Sequence, residues 1–233
     1  MIVFGGIALE QVAPVKIVDI LVSPIQMTAV ARQRPVTWGA DYVRMTGGSR
    51  TVSIEFALLT ENRDQRQTQL REITRWARSD APKRLELPNR RGVYLEAVCT
   101  ALPEPSLRQW WESKLRIVFT TFDNPYWTSI EEKSIACGTA FVVLGDAPPL
   151  MKIVRTLDAK ATTDQVYSNS HETMTFSEIY AGNMTIDLNR QTADVNGVNI
   201  MYAYTYNSSF LLPRLGAQTI TGTGTVKWRE RWE

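Results

Sequence analysis

The chain has 233 residues, 44% of them hydrophobic and 21% charged, with a formal net charge of +2. That balance excludes a disordered chain, and so small a positive surplus gives no ground for a nucleic-acid-binding surface. Two cysteines, Cys99 and Cys137, and a single histidine, His171, exclude a disulfide framework and a clustered zinc site. No apolar run approaches the roughly 20 residues that span a bilayer, so no membrane insertion is expected. The N-terminus lacks a basic segment ahead of a long apolar run, so no secretory signal is expected. Free buried thiols from synthesis in a reducing cytoplasm fit the cysteines.

In chain order, apolar segments at Ile2–Ala8, Lys16–Val22 and Gln26–Val30 open the sequence. Arg32–Gly39, RQRPVTWG, is a polar stretch holding one tryptophan. Tyr42–Met45 and Arg50–Leu59 flank Thr46-Gly47-Gly48-Ser49, a pair of glycines that predicts a hairpin between these two strands. Val52, Ile54, Phe56 and Leu58 share one face. Thr60 is the expected N-cap of a helix over about 61–78. Its Leu70, Ile73, Trp76 and Ala77 should face a sheet, and Arg63, Arg66, Arg71, Arg75 and Arg78 should face water. Strands follow at Arg84–Leu87 and Val93–Ala101, and then Lys114–Trp127, KLRIVFTTFDNPYW, in which Leu115, Ile117 and Phe119 alternate with polar or smaller residues. Asp123-Asn124-Pro125 stops that strand, because proline fixes φ and donates no ladder hydrogen bond.

Beyond about residue 130 no segment has a helical period. Short strand-like runs separated by turn residues predict a β-sandwich or jelly roll, with Asn196-Gly197 as a type I′ hairpin turn. A division into an N-terminal domain of residues 1–130 and a C-terminal domain of residues 131–233 is expected. The fold class is therefore mainly β, an N-terminal β-sandwich-like domain with one flanking α-helix followed by a C-terminal β-sandwich.

The chemistry of an enzyme is hard to place here. His171 has no companion ligand or nucleophile nearby in sequence, and Gly222-Thr223-Gly224 precedes no helix, so no phosphate loop is present. No catalytic, cofactor-binding or metal-binding residue is assigned, and the expectation is a protein without enzymatic activity. The aromatics are more informative. Trp110, Trp111, Tyr126, Trp127, Tyr202, Tyr204, Tyr206, Trp228 and Trp232 lie in or beside strand-like runs. Two readings are open: burial in cores and interfaces, or exposed rings that stack on sugars, with Tyr180, Tyr206 and Trp228 as candidates for the second. Tyr202, Tyr204 and Tyr206 would share one side of a strand, and one of the two sets, these tyrosines or Trp228 with Trp232, should enter the core. The second reading makes the C-terminal sandwich a carbohydrate-binding module at a cell surface.

Several stretches together resemble one family. They are Arg50–Leu59, the helix end Arg71-Glu72-Ile73-Thr74-Arg75-Trp76, Val93–Ala101, and above all Phe119-Thr120-Thr121-Phe122-Asp123-Asn124-Pro125-Tyr126-Trp127. In the second half Gly145-Asp146-Ala147-Pro148-Pro149, Asn183–Leu188, Val195-Asn196-Gly197 and Val226–Trp232 add to them. The pattern resembles the distal tail proteins of long-tailed bacteriophages with non-contractile tails. The family's glycine–arginine–X–glycine turn has only Gly39 in place.

The resemblance implies a galectin-like C-terminal sandwich and a structural virion protein, a hexameric ring at the tail tip or baseplate hub, assembled in the host bacterial cytoplasm. It implies as partners the tail tube protein, a tail-tip hub protein and receptor-binding components. DNA would pass through the channel without being a specific ligand, and no cofactor is implied. Arg34 and Trp38, in a polar loop with no local core, are the expected subunit-interface residues. Phe122, Tyr126 and Trp127 are the expected domain-junction residues.

Overall fold

The structure, a computed structural model, describes residues 1–33, 40–60, 62–103 and 114–233, with backbone alone for 27–33 and 40–47. It divides into two compact units, Met1–Trp127 and Thr128–Trp232.

In the first unit the strands Val15–Val22, Thr51–Leu58, Leu115–Thr120 and Val93–Ala101 pair antiparallel in that order. A second set runs Ile7–Ala8, Val3–Phe4, Lys83–Glu86 and again Val93–Ala101. Val93–Ala101 serves both sets, its first half against Lys83–Glu86 and its second half against Leu115–Thr120. Its register with Leu115–Thr120 shifts between Cys99 and Ala101. An irregularity of this kind bends a strand and lets it turn from one sheet into another. Val52, Ile54 and Phe56 are fully buried, as the alternation predicted, and Leu115, Ile117 and Phe119 face them. Phe4, Trp76 and Phe119 form an aromatic cluster, with centroids 4.8 Å apart for Phe4–Phe119 and 5.7 Å for Phe4–Trp76.

The helix spans Arg63–Ala77. Its N-cap is Asn62 and not Thr60: Asn62 Oδ1 accepts from the Gln65 N–H at 2.8 Å, satisfying a donor that the first turn would otherwise leave open. Ile73, Trp76 and Ala77 are buried as expected, and the Trp76 Nε1–H donates to the Ile7 carbonyl at 3.0 Å. Arg66 departs from expectation. It falls on the same stripe as Ile73 and Trp76, is 5% exposed, and burial lowers its guanidinium pKa.

The expected hairpin across Gly47-Gly48 does not form. Ala40–Gly47 pairs with Met27–Gln33, and neither strand pairs with any other among the described residues. Thr51–Leu58 lies between Val15–Val22 and Leu115–Thr120 instead. Gly48 marks the joint between hairpin and sheet. A Cβ there would sit 1.8 Å from the Gln26 carbonyl oxygen, so the glycine permits close backbone approach and not a tight turn.

In the second unit one antiparallel sheet runs Val198–Asn199, Thr192–Val195, Gly182–Asp187, Ala147–Leu157, Thr225–Trp232 and Lys133–Ala136. Facing it are the pairs Ala140–Val143 with Gly216–Thr219 and Gln165–Ser168 with Thr173–Phe176. Single bridges, Ser168 to Thr221 and Phe176 to Tyr204, extend the second pair on either side. Phe141, Met151, Ile153, Tyr167, Phe176, Ile186 and Trp228 fill the space between the layers, which makes the unit a β-sandwich. Asn196 and Gly197 have φ of 51° and 80°, as a type I′ turn requires.

Candidate functional site

Among the described residues, no three His, Cys, Asp or Glu side chains are grouped to hold a metal ion. No described helix is long and apolar enough to cross a membrane. The two thiols are free and half-buried, and burial pushes both up from the ordinary thiol range. A thiol so shifted is a poor nucleophile.

Of the expected subunit-interface residues, Arg34 and Trp38 lie outside the described residues, as do Trp110 and Trp111. The three expected junction aromatics differ from one another. Trp127 is fully buried, with the Arg90 guanidinium 5.1 Å and the Arg50 guanidinium 5.9 Å from its ring. Tyr126 is half-buried, and its N–H reaches Asn124 Oδ1 at 3.4 Å. Phe122 is 57% exposed and joins no core.

The candidates for sugar stacking also divide. Trp228 is 5% exposed and packs on Phe141 with centroids 4.7 Å apart. It is a core residue and presents no face to a ligand, because its strand parity points it between the layers. Tyr180 and Tyr206 are 59% and 97% exposed. The three alternating tyrosines do not share a strand face. Met201–Ala203 is a short 3-10 turn, which leaves Tyr202 exposed and carries Tyr204 onto Phe176 and Phe210. The sequence held one signal for this turn, Asn199, whose Oδ1 accepts from the Met201 N–H at 2.8 Å.

His171 is exposed and lies in an open hollow of about 400 Å³ with Asn169, Arg214 and Gln218. Asn169 Oδ1 accepts from the His171 and Glu172 N–H groups at 2.8 and 2.7 Å, and its amide donates to Glu172 Oε2 at 2.7 Å. Arg214 closes an ion pair on the other Glu172 oxygen. These contacts tie two loops together and leave the carboxylate fully engaged, with no free base for catalysis. Burial alone would push the Glu172 carboxyl up; the Asn169 and Arg214 hydrogen bonds outweigh it and hold the group below its ordinary value. A carboxyl depressed in the folded state adds stability above its unfolded pKa, and that stability is lost as pH falls through the folded one. Glu172→Gln should therefore flatten the decline in stability below about pH 4, measured by urea denaturation across pH. A decline as steep as in the parent would show that Glu172 contributes nothing to it.

On the six-stranded sheet, Lys152 stands directly across from Lys227, a like-charge pair that repels. Glu132 offsets it, with oxygens 3.0 Å from Lys152, 3.9 Å from Lys227 and 3.8 Å from Arg229. Burial pushes the Glu132 carboxyl up, and these three cations bring it below its ordinary value.

With no catalytic constellation in view, what distinguishes this chain is its pair of β units. The chain matches no protein-family model, and no curated protein is similar to it in sequence. Among solved structures it superposes on the Dit protein of phage SPP1 with a TM-score of 0.74 at 10% identity, over 100% of this chain and 98% of that one. Dit is a paradigm of the hub adsorption apparatus in phages that infect Gram-positive bacteria. This chain has the Dit fold.

The likeness to Dit spans both units and bears out the mainly β fold class read from the sequence. The resemblance to distal tail proteins, first visible at Phe119–Trp127, agrees with it. A chain of the phage p2 baseplate, in its activated conformation with strontium, aligns at 10% identity over 93% of this chain and 90% of its own. Its TM-score is 0.42.

Proposed function

We propose that this chain is a structural protein of a phage virion, a ring-forming hub at the distal end of the tail. It would join the tail tube to tip or baseplate components and carry no enzymatic activity. The observation that carries this reading is the superposition on Dit over the whole chain. Two features of the first unit support ring formation. Val15–Val22 pairs along one edge only among the described residues, and its Leu21 and Val18 are 63% and 43% exposed. Among the described residues the hairpin Met27–Gln33 with Ala40–Gly47 pairs only with itself. A bare strand edge and an unpaired hairpin in one chain suit a heterologous contact, in which each copy offers one surface to the next, and such contacts form a ring when the rotation between copies closes. A hexamer is the proposed closure, with Arg34 and Trp38 at the contact and the domain-junction role resting on Trp127 and Tyr126.

Native mass spectrometry and negative-stain microscopy test this. A species near six times the 26.4 kDa chain mass, with a central hole, is expected. Leu21→Arg should abolish that species while circular dichroism stays unchanged, since a charge on an exposed edge blocks pairing without touching the core. A chain that remains monomeric at every concentration, alone and with tail tube protein added, would overturn the ring.

A further inference from the structure

At one end of the sandwich, segments around residues 158–163, 177–181 and 199–205 meet. They are held together by backbone hydrogen bonds. The Ala161 N–H donates to the Ile179 carbonyl at 2.8 Å, the Ser177 N–H to the Ala203 carbonyl at 2.9 Å, and the Thr205 N–H to the Thr175 carbonyl at 3.0 Å. Ile179 is fully buried beneath them and anchors the middle segment in the core. The frame is therefore rigid where it meets water, the condition for holding a ligand in one geometry.

What this frame presents is unusual for a surface. Tyr180 and Tyr202 are 59% and 67% exposed, and the Ser177–Ala203 hydrogen bond holds the segments that carry them side by side. The Lys160 ammonium lies 5.8 Å from the Tyr180 ring centroid and 3.4 Å from Glu178 Oε2. Glu178 has φ of 54°, in the left-handed region that non-glycine residues rarely occupy. Backbone strain of this kind gathers at functional sites. Neither ring is buried enough for core packing to account for its position, and the core place beside Tyr180 is taken by the fully buried Ile179.

We propose that Tyr180 and Tyr202, flanked by Lys160 and Glu178, form a shallow platform that binds a neutral saccharide. The chemistry fits a pyranose. Its C–H face is apolar and lies flat on an aromatic ring, and its hydroxyls need donors and acceptors at the rim. Lys160 donates, Glu178 accepts, and the tyrosine hydroxyls do either. The Lys160 charge is offset by Glu178, so the platform lacks the positive surplus that a phosphate backbone or an acidic polymer requires. The hollow at His171 offers polar groups and no tyrosine or tryptophan face, and Trp228 offers a ring with no access. Affinity at one open platform is weak, and several copies on one assembly would raise it by avidity. This inference is independent of ring closure: a monomer would bind with the same intrinsic affinity.

The test uses the full chain on an array of neutral oligosaccharides, namely glucans, galactans, mannans and N-acetylglucosamine oligomers. Each hit is then titrated by ligand-observed NMR. At least one of these probes should bind. Tyr180→Ala and Tyr202→Ala should each weaken binding about tenfold, the loss typical of an aromatic anchor, while Tyr180→Phe keeps the stacking face and most of the affinity. His171→Ala should leave binding intact. All these side chains are exposed, so unchanged circular dichroism confirms folding. Three results would overturn the proposal: no bound probe on the array, binding that survives Tyr180→Ala with Tyr202→Ala, or binding only to charged polymers or to a protein.

Discussion

Trp127→Ala is expected to destabilise the first unit by about 3–5 kcal/mol, the range for deleting a large aromatic from a packed site. The Trp127 side chain is fully buried, and guanidinium groups of Arg50 and Arg90 lie over its ring. The two cation–π contacts are worth about 0.5–2 kcal/mol each, so the cavity and lost transfer energy dominate. The indole N–H has no protein acceptor among the described residues. That orphan donor makes the conservative replacement informative. Trp127→Phe keeps a ring under the arginines and removes a buried unsatisfied group, a relief of about 1–3 kcal/mol that offsets part of the lost volume. It should cost well under half of what Trp127→Ala costs. Urea denaturation followed by circular dichroism measures both. A loss below about 1 kcal/mol for Trp127→Ala, the level of an ordinary surface change, would show that the ring is not integral to the packing.

Phe176→Ala is expected to cost the second unit a similar amount, about 3–5 kcal/mol. Phe176 is fully buried and meets Tyr204 and Phe210 with centroids 5.6 and 6.5 Å apart. Its backbone also bridges to Tyr204, and the next residue, Ser177, donates to the Ala203 carbonyl. The substitution therefore opens a cavity directly beneath the segment that carries Tyr202. Calorimetry should show a lowered unfolding transition, and hydrogen exchange at Ser177 and Thr205 should accelerate more than at Ile153 in the opposite sheet. Equal acceleration throughout the unit would mean that the loss is global and that Phe176 does not specifically support the platform.

Much of the architecture was legible from alternation and turn chemistry. Val52, Ile54, Phe56 and Leu58 read as one face because side chains in a strand repeat every second residue, and that face is buried. Asn196-Gly197 read as a tight turn because few residue pairs accept two positive φ values. The helix is visible in Ile73, Trp76 and Ala77, but it starts two residues later than an N-cap at Thr60 implies, since the chain offers both Thr60 and Asn62 and only geometry decides which side chain reaches an open N–H.

The candidate site was less legible. Parity established that Trp228 and Trp232 share a face, and could not tell whether a second sheet covers it. Period-2 alternation puts Tyr202 in line with Tyr204 and Tyr206, and a 3-10 turn rotates it away. Lys160 and Glu178 carry no sequence signal linking them to Tyr180, because that proximity comes from loops that separate strands bring to one end of the sandwich.

By itself, then, the sequence determined which residues alternate, where the chain turns, that a long helix lies in a mainly β chain, and which family it resembles. These are properties of neighbours a few residues apart, governed by backbone geometry and hydrophobic period. The tertiary structure alone decided that Gly48 joins a hairpin to a sheet, that Arg66 and Trp228 are buried, and that the segments carrying the exposed Tyr180 and Tyr202 meet. Each of these depends on which distant strand supplies the covering layer, and strand pairing across tens of residues leaves no local period to read.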